Sequence, residues 1–177
     1  MNLVMPRSFD RITWLGRGPQ ENYQDRKTGA FVDLYQMNVA DLYFPYVRPQ
    51  ENGNRTDVRW AAVTDSTGAG LLFKGLPLLE VTAHHNVMED FESPVRTVGR
   101  IVNGEKVINR HTCDVVPRDL TSVNIDFKQM GVGGDDSWGA RTHDEYRLTA
   151  KEYRYGFIMH PLRPGEEPVE AGKITIK

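Results

Sequence analysis

The chain has 177 residues, 39% hydrophobic and 26% charged, with 22 lysines and arginines against 24 aspartates and glutamates for a formal net charge of −2. That length supports a core held by apolar burial alone, and the charge balance removes the general attraction a basic protein has for nucleic acid or an anionic membrane. The single cysteine, Cys113, rules out an internal disulfide and a cysteine-rich zinc site, and no stretch approaches the roughly 18 apolar residues of a membrane span.

Sixteen glycines and ten prolines punctuate short apolar runs, the pattern of a strand-rich domain rather than of long helices. Strands are predicted over residues 11–15, 57–64, 71–74, 105–110, 123–130, 145–149 and 153–159. In the segment 123–130, Val123, Ile125 and Phe127 alternate with Asn124, Asp126 and Lys128, giving one buried and one wetter face. Tyr153, Tyr155, Phe157 and Met159 line one side of the 153–159 segment, and aromatic residues favour a sheet. Residues 64–70, TDSTGAG, read as a hairpin loop. One short helix is predicted over residues 82–92, with Val87, Met88 and Phe91 on one face and Ser93 and Pro94 ending it. The expected organisation is an all-β antiparallel domain over residues 1–162, with at most one or two short helices. Residues 163–177, carrying Glu166, Glu167 and Glu170, are expected as a C-terminal tail or edge strand.

Candidate chemistry is sparse. The glycines Gly131, Gly133 and Gly134 run into Asp135 and Asp136, whose charges would repel a phosphate, so nucleotide binding is disfavoured. His85 and Glu89 read as an ordinary helical surface pair rather than metal ligands. Asn54-Arg55-Thr56 matches the glycosylation acceptor pattern and, with no secretory signal, reads as a turn. Residues 14–26 mix Arg17, Glu21, Asp25 and Arg26 with Tyr23, read as a scaffolding ion-pair network. The segment that stands apart is 130–141, MGVGGDDSWGAR. Its glycines permit tight turns, Asp135, Asp136 and Ser137 can tie the loop through short hydrogen bonds, and Trp138 then stands on a stiff platform. Two readings follow: a tryptophan face for stacking a sugar ring, or a core or interface anchor.

Three blocks carry a resemblance. They are Trp14-Leu15-Gly16-Arg17-Gly18-Pro19-Gln20-Glu21-Asn22-Tyr23 with Asp25-Arg26; Pro45-Tyr46 with Pro49-Gln50-Glu51-Asn52-Gly53; and Asn124-Ile125-Asp126 continuing through Gln129-Met130-Gly131-Val132-Gly133-Gly134-Asp135-Asp136-Ser137-Trp138. Together, in this order, they resemble the C-terminal, small-chain domain of the family two glycoside hydrolase β-galactosidases. The resemblance implies a galactose mutarotase-like β-sandwich (a supersandwich) and a galactoside ligand, with Trp138 as the residue that reaches into the active site to form its stacking wall. It also implies that the catalytic glutamates sit on a separate barrel and that the family's magnesium and sodium ions are bound elsewhere, so that this chain holds no cofactor of its own. A typical barrel takes about 250 residues, more than this chain has.

In the family several strands precede the first block, whereas here only residues 1–13 do. The sandwich is therefore expected to be truncated at its N-terminal side, with open edges that pair with another copy as a homodimer or strand-swapped oligomer. The functional expectation is a binding component of a β-galactosidase that packs on a catalytic barrel and does not cleave by itself. The alternatives are a free-standing carbohydrate-binding module on the same Trp138 loop, and an aldose epimerase with Glu51 or Glu145 opposite His111 or His143.

Overall fold

The structure, a computed structural model, describes residues 1–91, 100–102, 105–107, 111–136 and 139–175. Its strands are β1 (Asn2–Met5), β2 (Arg11–Gly18), β3 (Phe31–Asn38), β4 (Arg55–Thr64), β5 (Gly70–His84), β6 (Arg100–Val102), β7 (Glu105–Val107), β8 (Thr121–Asp126) and β9 (Gly156–Leu162). A single α-helical turn, α1 (Pro168–Ala171), follows them among the described residues. Seven strands form one antiparallel sheet in the order β1-β8-β5-β4-β2-β3, with β9 also pairing β5, and β6 and β7 pair with each other. The chain is thus all-β and antiparallel, as its composition and punctuation imply.

The 15-residue strand β5 organises the sheet. Its first half, from Gly70 to Leu76, pairs with β9, and its second half, from Glu80 to His84, pairs with β8. β4 runs along the other edge, with register breaks between Arg55 and Val58 and between Val58 and Trp60, where extra residues bend a strand and increase its twist. Alternation then does the sorting. Ile12 and Trp14 of β2, Ala61 and Val63 of β4, Phe73, Val81 and Ala83 of β5 and Val123 and Ile125 of β8 share one buried face. These strands are neighbours in the sheet, so alternation along each of them builds one continuous buried face.

The opposite face carries a smaller core. Trp60, Ala62, Leu72 and Leu162 cluster with Ala171 of α1, and Leu15 packs against them. The segment after Leu162, expected as a tail or edge strand, therefore folds back over this face. A Cβ on Gly172 would lie 2.6 Å from the Trp60 indole nitrogen, so only a glycine lets the backbone rest on that ring. The Lys74 ammonium donates to the carbonyl of Ile174 and ties the end of the segment to β5.

The loop predicted over residues 64–70 is the β4–β5 hairpin connection, with the Asp65 carboxylate accepting from the amides of Thr67 and Ala69. The helix predicted over residues 82–92 is not formed. β5 continues to His84, and among the described residues of that segment the only helical turn is a 3-10 turn at Met88–Asp90. His85 is consequently not part of a helical surface pair with Glu89: it is buried at 6% exposure, as is His84 at 4%. The strand predicted over residues 145–149 is also absent, replaced by a 3-10 turn at Asp144–Tyr146. The sequon is no turn: Asn54 is fully buried beside the start of β4, its amide donating to the Asn22 carbonyl at 3.1 Å and to Glu80 at 2.8 Å.

Candidate functional site

The three sequence blocks, separated along the chain, meet at one end of the sheet. Glu21 sits at the centre of the junction at 2% exposure. Its carboxylate accepts from the Arg26 guanidinium at 2.9 Å, from the Gly53 amide at 2.8 Å and from the Tyr46 hydroxyl. One buried carboxylate thereby joins the first block to the second. Burial beside Glu21 pushes the Tyr23 hydroxyl well above the ordinary tyrosine value and raises Tyr46 to about 12, so both remain neutral donors.

Glu80 makes the corresponding join to the third block. Its carboxylate, also 2% exposed, accepts from Gln24 at 2.5 Å, Asn54 at 2.8 Å and the Gln129 amide at 2.9 Å. Burial raises its pKa above the ordinary carboxylate range despite those donors. Gln129 in turn donates through its side chain to Glu51 at 2.7 Å, so the second and third blocks also touch directly.

Beyond Gln129 the chain enters the glycine-rich loop. The Gly131 amide donates to the Tyr146 carbonyl at 2.8 Å. The Asp25 carboxylate accepts from the amides of Val132 at 3.1 Å and Gly133 at 2.7 Å and from the Thr142 hydroxyl at 3.1 Å. Burial opposes its ionisation, but these donors outweigh that and hold its pKa below the ordinary aspartate value. The arms of the loop close at Gly134, where a Cβ would lie 2.5 Å from the Ala140 carbonyl oxygen. At the tip, Asp136 accepts from the amides of Gly139 and Ala140, both at 3.1 Å. Asp135 bonds the His143 ring at 2.8 Å, and that hydrogen bond together with the carboxylate's charge raises the histidine pKa. Ser137 and Trp138 lie outside the described residues.

The loop borders an open cleft of about 970 Å³ lined by Glu51, Phe127, Gln129, Gly133, Gly139 and Arg141 among others. Gly133 and Gly139 come from the two arms of the loop, so both arms border the cleft. Of its aromatic lining, Phe127 and Tyr155 have ring centroids 6.0 Å apart, and Tyr153, outside the lining, stands 5.7 Å from Phe127. The epimerase candidates gain no support: the Glu51 carboxylate accepts from Gln129, and the His143 ring bonds Asp135. The buried carboxylates Glu21, Glu80 and Asp90, each under 3% exposed, face their own scaffold donors and no solvent-open ligand. Among the described residues no group of three or more histidine, cysteine, aspartate and glutamate side chains is placed to hold a metal ion. No helix among the described residues is long and apolar enough to cross a membrane.

A sequence profile described as beta galactosidase small chain matches residues 1–159. The chain belongs to the β-galactosidase small-chain family. Its curated relatives include the beta-galactosidases of Priestia megaterium, 43% identical over 163 residues, and of Halalkalibacterium halodurans, 38% identical over 152 residues. That of Streptococcus thermophilus is 34% identical over 164 residues. These matches cover 92%, 86% and 92% of this chain, but the small-chain sequence spans only 14% of the length of each relative.

Reading the first block as scaffold describes Arg17, whose guanidinium bonds Asp57 at 2.5 Å and the Ala30 carbonyl at 2.7 Å. It does not describe Asp25, whose partners lie in the small-chain loop more than 100 residues away. The glycines at 131 and 133 were the one local signal that something approaches that backbone closely.

Proposed function

We propose that this chain is the β-sandwich portion of a β-galactosidase, presenting Trp138 as one wall of a composite galactoside site and docking on a catalytic barrel that the rest of the parent enzyme supplies. The observation that carries this reading is the convergence of all three family blocks on the loop that bears Trp138. A tryptophan face on a braced loop packs against the apolar face of a pyranose, while neighbouring polar groups meet its hydroxyls. The chemistry of bond cleavage is assigned to carboxylates outside this chain, and the contribution of the sandwich is to bind and orient.

The test is a chimera of the Priestia megaterium beta-galactosidase in which its matching segment is replaced by this chain. The chimera is expected to hydrolyse nitrophenyl galactoside, and Trp138→Ala is expected to raise KM about tenfold. An active chimera whose KM is unmoved by Trp138→Ala would overturn the reading. The isolated chain should show no turnover and, by titration calorimetry, binding of galactose or lactose no tighter than millimolar, about −4 kcal/mol. Saturable micromolar binding lost in Trp138→Ala would identify an autonomous binding module instead.

Self-association is part of the same proposal. β3 lies at an end of the sheet order, and its Phe31, Val32 and Leu34 are exposed, a combination that favours strand pairing with a second copy. Light scattering at micromolar concentration should report a dimer or larger, and a monodisperse monomer would exclude it.

A further inference from the structure

We infer that Asp25 is a positioning residue for the galactoside site, clamping both arms of the Trp138 loop without itself touching sugar. This inference rests on the proposed role of Trp138. The Asp25 carboxylate engages Val132 and Gly133 on the arm that enters the loop and Thr142 on the arm that leaves it. A single acceptor-only group thus ties the two arms to each other at the base of the loop. The space around it is shaped for this contact. A Cβ on Gly131 would lie 2.5 Å from Asp25 Oδ2 and 2.8 Å from Thr142 Oγ1, and a Cβ on Gly133 would lie 3.0 Å from Asp25 Oδ2. Any other residue at 131 would drive the arm off the carboxylate.

The clamp is itself held rigidly. Asp25 stands in a tight turn closed by the Arg26 amide on the Tyr23 carbonyl at 2.9 Å and the Tyr23 amide on the Arg26 carbonyl at 3.3 Å. Tyr23 is 1% exposed and Arg26 is paired with the buried Glu21, so the turn is anchored in the polar junction beneath the loop. Displacements of about 1 Å at a binding group can cost up to roughly a hundredfold in rate, which makes a remote backbone clamp a lever on the site.

The test uses the same chimera as a double-mutant cycle. Asp25→Asn keeps the shape but removes the charge and one acceptor site, and Asp25→Ala removes the clamp. Both are expected to raise KM for nitrophenyl galactoside about three- to tenfold while kcat changes less. In a Trp138→Ala background the same changes are expected to add nothing to KM, because Asp25 acts through the tryptophan. A normal KM in Asp25→Asn would overturn the inference, as would an equal further rise in KM in the Trp138→Ala background, which would mark general destabilisation. If Trp138→Ala alone leaves KM unchanged, it is the reading of the site that fails and not the clamp. Then limited proteolysis still decides the clamp: faster cleavage between residues 133 and 142 in Asp25→Asn supports it, and an unchanged rate rejects it.

Discussion

The imidazole of His84 lies directly against the backbone of Gly53: a Cβ there would sit 2.7 Å from the ring, and the His84 Nε2–H donates to the neighbouring Asn52 carbonyl at 2.8 Å. Gly53 also has a φ of +82° and donates its amide to Glu21. A residue on β5 therefore seats the turn that joins the second sequence block to the first.

Gly53→Ala should be costly for both reasons, through a left-handed backbone and a collision with the ring. We expect a loss of about 2–4 kcal/mol, measured by urea unfolding. Gly29→Ala is the matched control, since a Cβ there meets nothing within 4 Å, and it should be close to neutral.

Burial also sets the pH response of His84, whose pKa is pushed down to about 4. Below its ordinary value near 6.5 the unfolded chain takes up a proton that the folded chain refuses, so stability falls as pH drops from about 6.5 to about 4 and then levels off for this residue. The integrated effect is on the order of 3 kcal/mol. Glu80 works in the opposite direction, because its raised pKa gives stability at low pH that is lost as pH rises through the folded value. The urea midpoint should decline between pH 7 and pH 4.5, and His84→Gln should flatten that slope. A midpoint independent of pH in the wild-type chain would refute the assignment.

Glu21→Gln removes the charge that faces Arg26 and lies close to the buried Arg55, whose guanidinium burial has already lowered to about 10. Arg26 is half-exposed and stays solvated, but the buried Arg55 loses its nearby opposite charge, so a loss of about 3 kcal/mol is expected. Because the group is shielded from solvent, the loss should persist in 0.5 M salt, whereas Lys173→Ala, which removes an exposed pair with Glu170, should have little effect at any salt concentration.

Gly172→Val would force a branched side chain into the Trp60 indole. The expected cost is about 1–3 kcal/mol, with a change in tryptophan fluorescence as Trp60, only 4% exposed in the folded chain, gains contact with water. Unaltered emission and stability would show that the C-terminal segment does not cover this face.

Much of the fold was legible locally. Alternation marked β2, β4, β8 and β9, and Thr64 to Gly70 announced a hairpin through its turn residues. The strand ends were less visible: β2 continues through Gly16 and Gly18, which carry no side chain to signal a face, and β9 begins at Gly156 rather than among the tyrosines before it. Val87, Met88 and Phe91 imitated a helical stripe because periodicity cannot report that β5 persists to His84, with Glu80 and His84 satisfied by Asn54 and Asn52 from another strand edge. The same limit applies to the site. The loop at 130–141 could be singled out from its glycines and aspartates, but Asp25 acts on it, and Glu51 on Gln129 just before it, across long stretches of chain, through hydrogen bonds that leave no mark on neighbouring residues.

The pairing of Gly70 with Leu162 and of Leu76 with Gly156 has a consequence for how the molecule is made. The central strand has one half-edge whose partner emerges from the ribosome only after some eighty further residues. Until then, the hydrogen-bonding groups along its first half remain open, although β4 is already in place on the other side. Closing so long a loop is slow relative to local pairing, so the sheet is completed late, and an interval of exposure to chaperones or to a neighbouring nascent chain is built into its topology.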